Sequence, residues 1–175
     1  RRSGISSTKL AELHGNSTLE YCKKCKSEFL RDFRVRNAKK VHDHKTGRKC
    51  PLCGAALLDS VINFGEGLPE NHLNAGYENS YKSDLHLVLG SSLTVTPAAD
   101  LPKITAKEVK GGRLVICNMQ KTPLDKYAAL RVFAKTDNFM RMVMEELNLH
   151  IPQWRLFRRL ELIRASKNFA IHPLS

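Results

Sequence analysis

No run of about eighteen apolar residues, the length a helix needs to cross a bilayer, occurs in the 175-residue chain, so no membrane span is expected. The chain opens on Arg1, Arg2 and Ser3, not on a charged-then-apolar segment, and no secretory leader is expected either. A soluble, intracellular chain is the resulting expectation. Cysteine is scarce: there are five, and their uneven placement is wrong for a disulfide framework. Acidic residues are scarce as well, 17 against 29 Lys and Arg, for a formal net charge of +12. Repeats and low-complexity tracts are absent. The 42% hydrophobic fraction excludes a disordered or collagen-like chain and allows one domain, or one with a small insert.

The charge is unevenly spread. Residues 1–50 carry fourteen Lys and Arg against five Asp and Glu, so most of the basic surplus lies in the cysteine-bearing segment. Such a face gathers polyanions and releases their counterions, which makes non-specific contact with DNA or nucleosomes an expectation. The cationic and apolar residues of Arg155–Arg164 suggest either a chromatin or membrane-surface contact or a solvated terminal helix.

Four cysteines form two pairs, Cys22-Lys23-Lys24-Cys25 and Cys50-Pro51-Leu52-Cys53. Each C-x2-C turn aims two thiolates at one point, and two such turns close a tetrahedral shell around Zn²⁺. A full shell leaves no position for water, so one structural zinc per chain is expected. Lys23, Lys24, Lys26, Arg48 and Lys49 would offset the charge of the tetrathiolate. His42 and His44, between the pairs, could replace a cysteine as ligand but, with four cysteines available, read as solvated loop residues. Cys117, in the apolar run Leu114–Cys117, reads as a small buried hydrophobe.

Composition changes near residues 18, 57 and 150. Short β-like runs at Leu19–Cys22 and Phe29–Val35 suit a small, metal-pinned, zinc-ribbon-like module over 18–57. Beyond Asp84 the pattern is β-α-β-α-β-α. A buried strand at 85–89 ends at Gly90, a helix spans Pro97–Val109 before a Gly111-Gly112 stop, and a second strand covers Leu114–Cys117. A short helix at Leu124–Leu130, a strand at Arg131–Ala134 and a helix at Asp137–Asn148 follow, the last with Phe139, Met140, Val143, Met144 and Leu147 on one stripe. The fold class is therefore α/β, a Rossmann-like parallel sheet in the C-terminal portion beside the zinc module. Ligands of open α/β sheets sit beyond the carboxyl ends of the strands. Those ends carry Gly90-Ser91-Ser92, Asn118 and Lys135-Thr136, which suit phosphates and ribose hydroxyls, although polar βα loops occur in any α/β protein.

Five motifs in order resemble the sirtuins, the NAD-dependent protein-lysine deacylases: Glu12-Leu13-His14-Gly15-Asn16, the two cysteine pairs, Ile62-Asn63-Phe64-Gly65-Glu66-Gly67-Leu68-Pro69, Gly90-Ser91-Ser92-Leu93 and Val115-Ile116-Cys117-Asn118. The stretch His42–Cys50 and the ending Tyr127–Trp154 look most like the nuclear branch containing the sixth and seventh mammalian sirtuins, which implies a nuclear location. The family's Gly-Ala-Gly-x-Ser loop and Gln-Asn-x-Asp motif do not occur in these residues, so the chain is expected to be a partial domain lacking the N-terminal third and inactive alone.

The resemblance implies roles residue by residue. His14 matches the general base that activates a ribose hydroxyl, so that the acyl group passes from lysine to ADP-ribose with release of nicotinamide; a histidine titrates in the range this needs. Ile62, Phe64, Gly65 and Glu66 match the strand that binds the substrate peptide, with Phe64 against the acyl-lysine stem. Gly90, Ser91, Ser92, Asn118 and Thr136 match NAD contacts, and Cys22, Cys25, Cys50 and Cys53 the zinc ligands. NAD as co-substrate and acyl-lysine in histones or other chromatin proteins as substrate follow. Residues 1–17 then carry the catalytic histidine, 18–57 the zinc, 58–150 the substrate strand and NAD-binding half, and 151–175 a basic tail. The competing reading is an inactive zinc-stapled adapter that binds peptide or chromatin.

Overall fold

The computed structural model describes residues 1, 3–37 and 40–155. The expected contact helix at Arg155–Arg164 lies outside the described residues beyond its first position. Two compact units emerge, one of Arg1–Leu13 with Pro69–Arg155, the other starting at His14 and running to Leu68. The shifts in composition mark boundaries at 17/18, 57/58 and 150/151.

The His14–Leu68 unit is a four-stranded antiparallel sheet of β1 (Leu19–Cys22), β2 (Glu28–Leu30), β3 (Lys45–Lys49) and β4 (Ala56–Asp59), in the order β2-β1-β4-β3. Its buried cluster is three residues, Cys22, Cys50 and Leu57, with Phe29, Cys53 and Ala55 packed around them. Even with Leu19 and Val35, buried outside that cluster, this is little apolar surface to hold a fold by burial alone. Polar groups supply the rest. Glu20 is fully buried on β1, and its two oxygens take Arg31 Nε at 2.7 Å and Arg48 Nε at 2.8 Å. Arg48 also donates to the Val35 carbonyl at 2.7 Å. Arg48, one of the cations expected near the thiolates, is thus hydrogen-bonded to Glu20. The Phe29–Val35 run is a strand only at its beginning, because Val35 turns inward as a buried residue outside the sheet.

The second unit carries α1 (Glu70–Lys82), β5 (Leu85–Leu89), α2 (Leu101–Lys107), β6 (Arg113–Cys117), β7 (Leu130–Val132) and α3 (Thr136–Glu146). Strands β5, β6 and β7 pair in parallel in that order, as the β-α-β pattern requires. Its core gathers Val88, Leu93, Ala99, Leu114, Ile116 and Leu124. Helix α2 begins later than expected, because Pro102 fits only a first turn and the residues before it form a separate 3-10 turn, Ala98–Asp100. The expected helix at Leu124–Leu130 is likewise only a 3-10 turn at Asp125–Tyr127, and the third strand starts one residue early, at Leu130.

Strand β5 departs from the expected full burial. Val88 is buried, but Leu85, Leu87 and Leu89, on the opposite face of the pleat, are 54%, 39% and 40% exposed. An apolar run reads as a parallel strand covered on both faces, and the described residues cover one. On α3 the expected stripe is half-buried at Phe139, Met140, Val143 and Met144, while Leu147 is exposed. Cys117 is fully buried, as expected. No helix among the described residues is long and apolar enough to cross a membrane.

Candidate metal centre and ligand-binding segments

The two C-x2-C turns are built alike. In the first, Cys22 N–H donates to Ser27 O and Lys26 N–H to Cys22 O, both at 2.9 Å. In the second, Cys50 N–H donates to Ala55 O at 2.7 Å and Gly54 N–H to Cys50 O at 2.9 Å. Each turn closes through one left-handed residue, Lys26 at φ 62° and Gly54 at φ 72°. Strands β1 and β4 pair Cys22 with Leu57 and so bring the turns together. Cys22 Sγ lies 3.4 Å from Cys53 Sγ and Cys25 Sγ 3.5 Å from Cys50 Sγ, and all four sulfurs fall within 4.8 Å of one another.

These separations suit a metal. Four sulfurs about 2.3 Å from one Zn²⁺ would stand about 3.8 Å apart, whereas disulfide sulfurs would be bonded at about 2.05 Å. Cys25 has its thiol drawn down to about 6, chiefly by the Ser27 hydroxyl and N–H. At Cys53 the Ala55 N–H favours the thiolate, but the neighbouring sulfurs prevail and push its thiol up to about 12. Four sulfurs in one pocket cannot all ionise without a cation among them. The arrangement fits a closed, structural tetrathiolate with no open coordination position.

His14 opens the same unit and is exposed. Its carbonyl accepts the Ile62 N–H at 3.2 Å. The next two residues are fixed against the same segment. Asn16 N–H donates to Ser60 Oγ at 3.0 Å, the Ser60 hydroxyl returns to Asn16 O at 3.0 Å, and Gly15, at φ 74°, leaves so little room that a Cβ would sit 1.7 Å from Ser60 O. The histidine and the segment carrying Ile62, Phe64, Gly65 and Glu66 are therefore joined backbone to backbone.

That segment has no regular secondary structure here, and Phe64 is 86% exposed. Glu66 is tied inward. Its Oε2 accepts Asn63 N–H at 2.7 Å, and its Oε1 lies 2.8 Å from both His42 Nδ1 and His44 Nε2. Asn63 N–H, then the two rings, hold the Glu66 carboxyl well below the usual carboxylate range. The histidines expected as solvated loop residues are thus partners of Glu66. Neither was legible as such, because Glu66 follows them by 24 and 22 residues, beyond any local pattern.

In the other unit the residues expected to bind nucleotide sit at the strand ends. Gly90 follows β5, with the Thr136 methyl 3.6 Å from where its Cβ would be, so Gly90 and Thr136 are neighbours. Ser91 Oγ accepts Leu93 N–H at 3.3 Å and so keeps its own proton to donate, while Ser92 Oγ lies 3.0 Å from Thr94 Oγ1. Asn118 donates from Nδ2 to Gln120 O at 3.0 Å. Arg131, read from sequence only as a strand residue, clamps this loop. It donates to the carbonyls of Ile116 at 3.3 Å and Asn118 at 2.9 Å and to that of Gln120, and pairs through Nε with Asp125 at 2.8 Å. Partial burial works against ionisation of Asp125, but Thr122 and Arg131 outweigh it and keep the carboxyl below its ordinary range. Bare backbone at Gly90 beside hydroxyls and an amide is a donor set that fits a nucleotide's phosphate and ribose oxygens. A surface cavity of about 360 Å³ opens nearby in sequence, lined by Leu93, Thr94, Asp100, Lys103, Leu124 and Tyr127, and none of the five expected nucleotide residues lines it.

A parallel-sheet unit of Rossmann type and a four-cysteine antiparallel module define an α/β protein with four cysteines positioned to hold a metal ion. The Sir2 family model matches residues 1–97, and the chain belongs to that family. The NAD-dependent protein deacetylase SRT1 of Arabidopsis thaliana is 43% identical over 155 residues, 87% of this chain and 32% of the plant protein. Human NAD-dependent protein deacetylase sirtuin-7 is 40% identical over 162 residues, 87% of this chain and 40% of its own. Sir2Tm bound to a propionylated peptide superposes with a TM-score of 0.62 at 35% identity, covering 80% of this chain and 56% of that one. A Sir2 complex with p53 peptide and NAD⁺ gives 0.61 at 36%, covering 79% and 55%. The chain thus spans about a third of the plant relative and little more than half of either solved chain.

Proposed function

We propose that this chain is the zinc-bearing and C-terminal NAD-binding part of an NAD-dependent protein-lysine deacylase acting on acyl-lysine in basic nuclear proteins, histones among them. The carrying observation is the Ile62 N–H to His14 carbonyl bond, which seats the candidate base beside the candidate substrate segment in one unit. The deacetylase relatives, and the peptides and NAD⁺ in the solved Sir2 complexes, support the same reading.

NAD would supply an activated ribose carbon to which the acyl group can pass. His14 would take the proton of a ribose hydroxyl through its imidazole. The Ile62–Glu66 backbone would hold the peptide by main-chain pairing, with Phe64 against the lysine stem. Gly90, Ser91 and Ser92 would hold phosphate or ribose oxygens, Asn118 the adenosine side and Thr136 the adenine edge. Cys22, Cys25, Cys50 and Cys53 would hold zinc and take no part in the chemistry.

The test is nicotinamide release from NAD with an acetyl-lysine peptide. The 175 residues alone should not turn over, because they hold no Gly-Ala-Gly-x-Ser loop and misplacement of a reacting group by about 1 Å already costs ~10²-fold. Joined to a half that carries this loop, the chain should turn over, and His14→Ala should abolish turnover without changing zinc content. Undiminished release by that variant would remove His14 from the mechanism. The basic face of the zinc module, with its surplus over residues 1–50, is proposed to meet DNA phosphates. Its binding should weaken steeply with salt, and a salt-insensitive affinity would leave the charge a solubilising one.

A further inference from the structure

His44 stands between two carboxylates. Its Nδ1 is 3.1 Å from Asp59 Oδ1, at the end of β4, and its Nε2 is 2.8 Å from Glu66 Oε1, in the candidate substrate segment. A neutral imidazole has one N–H and can donate to only one of them; the imidazolium donates to both. Asp59 needs the cation. It is almost fully buried, its Oδ2 has no hydrogen-bond partner among the described residues, and its Oδ1 has, besides His44, only Val61 N–H at 3.0 Å and Arg36 at 3.6 Å. Burying a carboxylate without full compensation is costly, so the site favours a proton on His44.

We propose that His44 is a positioning residue: its imidazolium clasps the Asn63–Glu66 segment to the end of β4, and loss of one proton releases it. The consequence for peptide binding rests on the reading of that segment as the substrate site. The other groups facing the two carboxylates are Tyr21 from β1 and Arg36 and His42 from the connection before β3. Glu66, opposed by partial burial and joined by Asp59, holds the His44 imidazolium above the usual histidine range. The clasp is therefore complete below about pH 6.5 and opens as pH rises through the raised value. The lowered Glu66 carboxyl stays ionised throughout that range.

The test is NMR on the zinc-loaded 175-residue chain. Imidazole shifts should place His44 above the ordinary range, and Glu66→Gln should lower it. Protection of the Asn63 amide, corrected for the intrinsic pH dependence of exchange, should fall between about pH 6 and pH 8.5 as the raised His44 imidazolium loses its proton. In His44→Gln it should be low at both pH values, while the Cys22 and Leu57 amides stay protected and report an intact module. A His44 that titrates normally, or an Asn63 amide equally protected at both pH values, overturns the clasp. Affinity for a basic acetyl-lysine peptide, measured on the same samples, should be higher at pH 6 and lose its pH dependence in His44→Gln. If no peptide binds at any pH, the substrate reading of the segment fails, and the imidazole and amide data still decide the clasp.

Discussion

The two units are held together by different means. The parallel-sheet unit gathers six buried apolar residues into one cluster with three more packed on them, and its side-chain hydrogen bonds trim a structure that burial already explains. The cluster of the His14–Leu68 unit has three, two of them cysteines, with Leu19 and Val35 buried outside it. It depends on point-like connections: four sulfurs at one place, Glu20 between two arginines, His44 between two carboxylates. An apolar core tolerates small adjustments because each contact is weak and there are many. A unit built on a few polar links concentrates its stability in them, and each is conditional, on metal, on charge or on pH.

That contrast predicts its largest effect at the cysteines. Cys22→Ala or a strong chelator should unfold the four-stranded sheet, since about 10 kcal/mol or more of zinc binding is linked to folding in such sites. Amide exchange should collapse at β1 and β4 while Val88 and Ile116 stay protected, and elemental analysis of the unaltered chain should return one zinc. Protein purified without added metal that holds no zinc yet keeps its β4 protection would erase the distinction between the units.

Next is Leu114→Ala in the other unit. Leu114 is fully buried on β6, and truncation should cost about 2–5 kcal/mol, measured by denaturant midpoint, with zinc content unchanged. Loss of zinc would show the units to be energetically one. Somewhat below this stands Glu20→Ala, which strands two cations. Arg31 and Arg48 are each about a third exposed and can recover water, so the cost should fall toward the lower end of the ~3–5 kcal/mol typical of broken buried pairs. A Glu20→Ala chain as stable as the parent would mean that the zinc alone carries the module.

The same contrast decides what the sequence could reveal. The cysteine spacing read correctly because a C-x2-C turn is local and its chemistry narrow. The parallel strands read correctly in order, from apolar runs of strand length. Strand β3, Lys45 to Lys49, has no large apolar residue and buries one threonine, so no alternation marks it. His44 and Arg131 draw their importance from partners that the fold supplies: a carboxylate 22 residues on, and carbonyls up to fifteen residues back. Helix α1 escaped for another reason. Its one buried position is not apolar: Ser80 offers its carbonyl to Thr105 Oγ1 at 2.8 Å, Gly76 lies against Leu101, and Leu73 and Tyr77 are only half-buried.

Helix α1 supplies the smallest and most discriminating prediction. In a helix interior, Gly→Ala is favoured by about 0.5–1 kcal/mol. At Gly76 the new methyl would meet Leu101 Cδ1 at 2.9 Å, closer than contact allows, so the Leu101 side chain must turn aside. A flexible leucine end can do so at a cost comparable to the helix gain, because the obstacle is a side chain and not backbone. Gly76→Ala should therefore leave the denaturant midpoint within about 1 kcal/mol of the parent. Gly112→Ala, whose methyl would meet Thr105 O at 2.1 Å, should be clearly destabilising, since backbone cannot step aside. If Gly76→Ala proves as damaging as Gly112→Ala, then α1 and α2 meet through a rigid small-residue seam, and the parallel-sheet unit too depends on a few exact contacts.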